Sequence, residues 1–333
     1  MIGGMSFFAV LFALLIEQLK PLPNHNPVHQ GLTAWVRWVG RNFDAGAPVH
    51  ARVVWAITVV APALLIGVAY VAVNHYSTVL ALVWDVVVLY MTLGFRQFSH
   101  HFTAIRDSLD EAREDRAREL LAQWRHVDAS DLPRRELLRH VIEYSLLAAH
   151  RHVFGVFFWF VALSTVGLGP MGAVMYRMAE FTSRYWAYRS HITGATTHDR
   201  LRELSGRLFD LIDYVPSRLT AFGFAVVGNF EEAIESWRRY AALWTQPNEG
   251  VILSAAAGAV GVQLGGQSAP AAGQDVSRTL TEGDSAEAAD AVGSTSGVPP
   301  QMDHLRNVVA LIWRSVVLWM LLLALLSLAN LIG

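Results

Sequence analysis

Apolar residues in this chain gather in runs long enough to cross a bilayer, separated by stretches in which charges interleave with apolar side chains at helical spacing. The longest run, Val308 to Ile332 (VVALIWRSVVLWMLLLALLSLANLI), carries few polar positions and suits a transmembrane helix. Ala51 to Asn74 and Ser77 to Phe95 are two more such runs, joined only by His75 and Tyr76, so they predict a transmembrane hairpin. Met5 to Leu19 is a shorter apolar run without a basic leader or small-residue cleavage site, and predicts a retained first span.

Beyond Phe95 the pattern changes period. Phe98, Phe102, Ile105 and Leu109, then Ala117, Leu120, Leu121 and Trp124, recur at helical spacing with charges between them, which predicts an amphipathic helical hairpin. Asp128 to Pro133 supplies caps and a break before a helix from Arg134 to about His150. Phe154 to Met175 is apolar but interrupted by Gly167 to Pro170, leaving one kinked span or two half-length pieces open. In Leu208 to Val227, Asp210, Asp213, Pro216 and Arg218 precede an apolar stretch, as at an interface or beside a wet cavity. The expected organisation is N-terminal spans over 1–95, a cytoplasmic helical region over 96–151, membrane and interfacial helices over 152–263, a disordered loop over 264–302 and a final span over 303–333. The loop expectation rests on a segment rich in Ala, Gly, Ser and Pro. The fold class is therefore all-α and polytopic, with about five to seven membrane segments.

Composition agrees with the pattern: the 333 residues are 53% hydrophobic and 16% charged, too apolar for an average soluble domain. The net charge of −2 hides ten arginines between Arg96 and Arg151. Lys20 to Arg52 is basic as well, and the hairpin puts both segments on one side, cytoplasmic by the positive-inside rule. Lipid is the partner this charge and hydropathy pattern implies, and nothing in it indicates nucleic acid. With no cysteine, disulfides, thiolate metal sites and cysteine nucleophiles are excluded.

Asp210, Asp213 and Arg218 are candidate polar-site residues, because the two acids share a helix face beside an apolar run; an internal salt-bridge network is the other reading. Pro247, Asn248, Gly250, Gly258, Gly261, Gly265 and Gly266 could let backbone amides approach an anion, or could allow tight packing of small residues. His100, His101, His126, His140, His150 and His152 lack HExxH or triad spacing, which favours packing over a metal site; the metal ligands, if any, stay unassigned. Asp85, inside the hairpin, calls for a protein interior or a partner such as Arg314. Trp35, Trp38, Trp55, Trp159, Trp186, Trp313 and Trp319 suit an interfacial belt.

Three blocks resemble the CobD/CbiB family of integral membrane proteins. Arg207 to Leu219 (RLFDLIDYVPSRL) is similar to the family's RLDDLLNWIPARL, and Tyr176 to Tyr188 (YRMAEFTSRYWAY) to YRAVNTLDSMWGY. Pro247 to Gly266 (PNEGVILSAAAGAVGVQLGG), the most specific, is similar to PNxGxxxAAMAGALGVRLGG. With Glu17 and the Asn26-Pro27-Val28 region, the likeness spans most of the chain. It implies an ATP-dependent ligase that joins an aminopropanol phosphate to adenosylcobyric acid, with Mg²⁺ and ATP as cofactors. Glu143, Asp210, Asp213 and Arg218 would handle the metal and phosphates, and the PNEG block would line the cleft for the corrinoid.

The departures from the family pattern lie in its acids. Where the family reads ESLAENLVDGVVAPLFW, this chain reads EYSLLAAHRHVFGVFFW from Glu143 to Trp159, with Leu147 and Ala148 at the Glu-Asn pair and Arg151 at the Asp. Phe209 and Ser183 stand at two further Asp positions. The same departures resemble AmpE, a related inner-membrane protein: LIDYVPSRL is similar to its VLDWVPVRL, and Gly228 to Trp237 (GNFEEAIESW) to its GHGEKALPAW. That resemblance implies a non-catalytic regulator acting through partner membrane proteins. A transporter is a third reading, drawn from the broken segments.

Overall fold

The structure is a computed structural model that describes residues 2–20, 27–43, 48–125, 130, 132–193, 196–266 and 294–332. Most of the loop expected over 264–302, together with Asn26, His126 and half of the Asp128–Pro133 break, lies outside them. Among the described residues the regular structure is helical, and the only β pairing is two isolated bridges, Val262 with Val298 and Gly265 with Ser294. Among the described residues three helices are long and apolar enough to cross a membrane: His50–Tyr76, Arg134–Thr165 and Met302–Ala329. Ser6–Leu19 and Thr78–Thr92 are shorter apolar helices.

In chain order the helices are α1 (Ile2–Leu19), α2 (Pro27–Phe43), α3 (Pro48–Tyr76), α4 (Thr78–Thr92), α5 (Phe95–Asp110), α6 (Glu114–Arg125), α7 (Arg134–Ala149), α8 (Gly155–Thr165), α9 (Met171–Thr193), α10 (Thr196–Val227), α11 (Phe230–Tyr240), α12 (Pro247–Val260) and α13 (Met302–Ile332). They divide into two compact units, one formed by Met1–Phe98, Ala148–Pro216 and Trp319–Gly333, the other by Ser99–Leu147 and Ser217–Leu318.

In the first unit α1 packs on α4, α3 on α4 and α9, and α8 on α9. The tight link between α3 and α4 is set by Ser77, whose hydroxyl accepts from the Leu80 amide at 3.4 Å and caps α4. Helix α4 stops at Thr92, short of the expected Phe95, because Leu93 turns extended. The break at Gly167 to Pro170 is a turn between two packed helices. Gly167 and Gly169 take positive φ of 82° and 55°, a region that glycine enters without steric cost, and Gly169 lies against the Tyr70 ring. Asp85 is 3% exposed, so it faces protein, and among the described residues it forms no ion pair.

In the second unit the α5–α6 hairpin buries Phe102, Ile105, Leu109, Ala117 and Leu121, the stripe expected from spacing. Helices α11 and α12 pair closely, and Ala221, Val251 and Ala255 form a core with Trp237 and Ala241 against it. Asn229 caps α11 by accepting from the Glu232 amide, with Glu231 and Glu232 in the first turn and Arg238 and Arg239 in the last, matching the helix dipole at both ends.

Candidate functional site

The helix that begins at Arg134 continues through a π-helical turn, His150–Phe154, into α8. Such a turn adds one residue to the helical repeat and re-aims the side chains beyond it, and it is common at functional sites. Here it delivers His150 to Asp213 on α10. The Nε2–H of His150 and the hydroxyl of Tyr176, from α9, both donate to Asp213 Oδ1 at 2.8 Å. Asp213, His150 and Tyr176 are all buried, so two donors satisfy a carboxylate that would otherwise be costly to desolvate. Gly155 makes room for this arrangement, since a Cβ there would overlap the Tyr176 ring. Trp159 Nε1 donates to the Ile212 carbonyl at 3.1 Å and ties α8 to α10 one residue before Asp213.

A second polar set lies along α9. Glu180, 1% exposed, is gripped by Arg177 (Nη1 to Oε2, 3.0 Å) and by Arg184 (Nε to Oε1, 2.5 Å; Nη2 to Oε2, 3.2 Å). The i, i+3 and i, i+4 spacing that makes these pairs was readable along Tyr176 to Tyr188. Their burial was not, and neither Glu180 nor Tyr176 was singled out from the sequence.

In the second unit Arg218 Nη1 donates to Asn248 Oδ1 at 3.1 Å, joining two candidate residues thirty positions apart. Pro247 opens α12 at its first turn and Gly261 closes it with φ of 74°, so these positions act as the start and stop of one helix. Gly250 lies against the Ala241 carbonyl and Trp244, and Gly258 against the Glu232 carbonyl; neither could take a Cβ without displacing backbone. The Gly265 amide donates to Glu143 Oε1 at 2.9 Å, while Arg139 donates to the Gly265 carbonyl and pairs with Glu136. Arg135 Nη2 holds the Gln263 side chain at 2.9 Å, and Thr295 caps the Leu264 amide from the returning stretch of chain. Glu143 is thus a clamp on the segment that ends in Gly265 and Gly266, whose φ of 79° and 104° only glycine adopts easily.

The candidates accordingly fall into local sets: Asp213 with two partners missed in sequence, Arg218 with Asn248, and Glu143 with Gly265. Asp210, on the same helix as Asp213, is exposed. Trp186 is buried against Gly40, whereas Trp38 and Trp313 are 46% and 42% exposed. Among the described residues no group of three His, Asp or Glu side chains is arranged to hold a metal.

A family model described as CobD/Cbib protein matches residues 8–296. A cobalamin biosynthesis protein CobD from Stutzerimonas stutzeri is 29% identical over 326 residues, covering 95% of this chain and 96% of its own length. Another from Chromobacterium violaceum is 30% identical over 259 residues, covering 76% and 80%. Protein AmpE from Shigella flexneri is 26% identical over 242 residues, covering 70% of this chain and 78% of its own. No solved structure gives a significant match. The match to most of the chain shows that this membrane protein belongs to the CobD/CbiB family.

Proposed function

We propose that the chain is the cobalamin-pathway membrane ligase of its organism, joining an aminopropanol phosphate to the carboxylate of adenosylcobyric acid with ATP. The observation that carries this reading is likeness over nearly the full length of a protein named for cobalamin biosynthesis, 95% of one chain and 96% of the other. The side chains that would act are Arg218, a fixed cation for phosphate or carboxylate oxygens, and Asp210 and Asp213 on α10. Asp213 accepts from His150 Nε2–H, which fixes the orientation of the imidazole against α10. Glu143 positions the Gly265 segment rather than reacting. We place the protein in a bacterial inner membrane with its basic segments cytoplasmic.

The resemblance implies Mg²⁺ with ATP, and with three acids engaged by protein donors it is Asp210, exposed on α10, that would meet a cation carried mainly on the phosphates. Asp213 is committed to His150 and Tyr176, Glu180 to two arginines, and Glu143 to the Gly265 amide.

A second reading, a non-catalytic membrane regulator, is favoured by the acids missing from the family pattern at Leu147, Arg151, Phe209 and Ser183 and by the GNFEEAIESW block. Growth complementation separates the two. The protein is expressed in a bacterium lacking its cobinamide phosphate synthase, under conditions where growth requires cobalamin made from cobyric acid. Rescue that is lost with Arg218→Ala, at unchanged membrane abundance, supports the ligase. Failure of the well-inserted wild-type protein to rescue moves the assignment to the regulator.

A further inference from the structure

We propose that the outer face of α2 is a docking surface for a negatively charged bilayer, with Arg37 and Arg41 at the level of anionic lipid headgroups and Trp38 beside them. The helix buries Val36, Val39 and Gly40, the last against the Trp186 ring of α9. Trp35 Nε1 donates to the Thr58 carbonyl of α3 at 3.4 Å. One side of α2 is therefore fixed to two helices of the first unit. The opposite side shows Gln30, Ala34, Arg37, Trp38 and Arg41, all exposed and recurring at helical spacing. It carries two guanidiniums and no carboxylate, and among the described residues neither arginine pairs with an acid.

The fold gathers further positive charge at the same end of the unit. The Ser77 turn folds α4 back along α3, so the end of α4 lies beside the start of α3. The Tyr90 hydroxyl, near the end of α4, donates to the Lys20 carbonyl at the end of α1 at 2.6 Å. Exposed Lys20 and Arg52 thus share this end with Arg41, because only residues 44–47 separate α2 from α3. Glu17, one turn before Lys20, is 3% exposed and turned inward. Depth agrees with an interfacial position. The span His50–Tyr76 has 27 residues and exceeds a hydrocarbon core of ~30 Å by about 10 Å. Thr58, eight residues in from His50, then lies roughly 5–10 Å below the boundary, where an interfacial helix seats its apolar side. Trp35 and Trp38 stack with centroids 5.6 Å apart, and Phe43 meets Trp38 edge-on at 5.9 Å, an aromatic group suited to the headgroup level.

Net charge, and not the phosphodiester, selects the occupant. Zwitterionic and anionic phospholipids share that group, and only the anionic ones offer net negative charge to an uncompensated pair of arginines. Each arginine near such a surface favours anionic lipid about fivefold, an effect that salt screens within a Debye length. A second copy of the chain meeting this face across a two-fold axis would set arginine against arginine. This role rests on the inner-membrane placement and holds for a ligase and a regulator alike.

The test uses the full chain, which has no cysteine, so Gly31→Cys supplies a single labelling site on α2 where an added Cβ meets nothing within 4 Å. The donor-labelled protein is reconstituted in phosphatidylcholine nanodiscs that hold a small fraction of acceptor-tagged phosphatidylglycerol or, in the parallel arm, acceptor-tagged phosphatidylcholine, each tagged on an acyl chain. Energy transfer should show at least about fivefold enrichment of phosphatidylglycerol at low salt, falling toward parity at about 1 M salt. The double variant Arg37→Gln, Arg41→Gln should abolish the preference, and lysine at both positions should keep most of it. Arg207→Gln, an exposed arginine paired with Glu203 on α10, should leave it unchanged. Should the double variant lose its fold, the salt titration of the parent chain decides. Equal transfer to both lipids at low salt overturns the proposal and leaves membrane insertion standing. A preference untouched by the double variant, or by salt, overturns it as well. Transfer between donor-labelled and acceptor-labelled copies with no lipid preference overturns it in favour of a second copy on this face.

Discussion

His150 and Asp213 lie 63 residues apart in sequence and meet through one 2.8 Å hydrogen bond, with side chains 1% and 5% exposed. Tyr176 donates to the same carboxylate oxygen. Asp213→Ala leaves the imidazole N–H and the phenol O–H buried without an acceptor, each costing about 1–3 kcal/mol. The expected outcome is a markedly lower Tm in detergent. Asp213→Asn retains a carbonyl acceptor at the same place and should lose less. Equal Tm values for Asp213→Ala and wild type would show that the three groups repartner easily.

Gly155→Ala tests the same assembly from its other side. The new methyl group would overlap the Tyr176 ring, so the ring or the π-helical turn must move, which overpacking studies place at about 1–3 kcal/mol. The double variant Gly155→Ala, Tyr176→Ala should recover part of that loss, because the clash is removed. A double variant as unstable as the sum of the single ones would mean that Gly155 acts through something other than Tyr176.

How much of this was legible in sequence depended on the range of the interaction. The apolar runs at α3 and α13 announce themselves because crossing a bilayer demands a length that no soluble helix needs. The α5–α6 stripe is legible because burial on one face repeats every turn. The continuity of α7 into α8 is not, since the polar half before His150 and the apolar half after Phe154 read as two segments, and a π turn has no local signature. Asp213 stood out as an acid beside an apolar run, but its partners come from two other helices. The Glu143 to Gly265 clamp spans 122 residues, and no periodicity encodes that separation.

The α5–α6 hairpin carries a pH dependence of stability. His101 stacks on Trp124 with ring centroids 5.7 Å apart and planes 19° from parallel. Burial, followed by the neighbouring His100, lowers the His101 pKa below its ordinary value. A histidine depressed on folding is bound by more protons in the unfolded chain, so stability rises with pH across the window between the folded and unfolded values. The contribution of His101 is fully present above the unfolded pKa, near 6.5, and is lost as pH falls below it. His101→Gln should flatten the dependence of Tm on pH between pH 8 and pH 5. An unchanged slope would place the acid sensitivity elsewhere.

Gly258 and Gly206 offer opposite outcomes for the same substitution. Gly258 sits on α12 with its Cα against the Glu232 carbonyl and Ala233 of α11, and an added Cβ would strike backbone, which cannot swing away as a side chain does. Gly258→Ala should therefore destabilise by about 1–3 kcal/mol, through separation of α11 from α12. Gly206 lies inside α10, and a methyl group added there would meet nothing within 4 Å. Gly206→Ala should stabilise by about 0.5–1 kcal/mol, since it restricts the unfolded chain and meets no obstacle in the helix. Thermal unfolding of both variants checks the pair, and a Gly258→Ala variant with the Tm of wild type would mean that α11 and α12 part without cost.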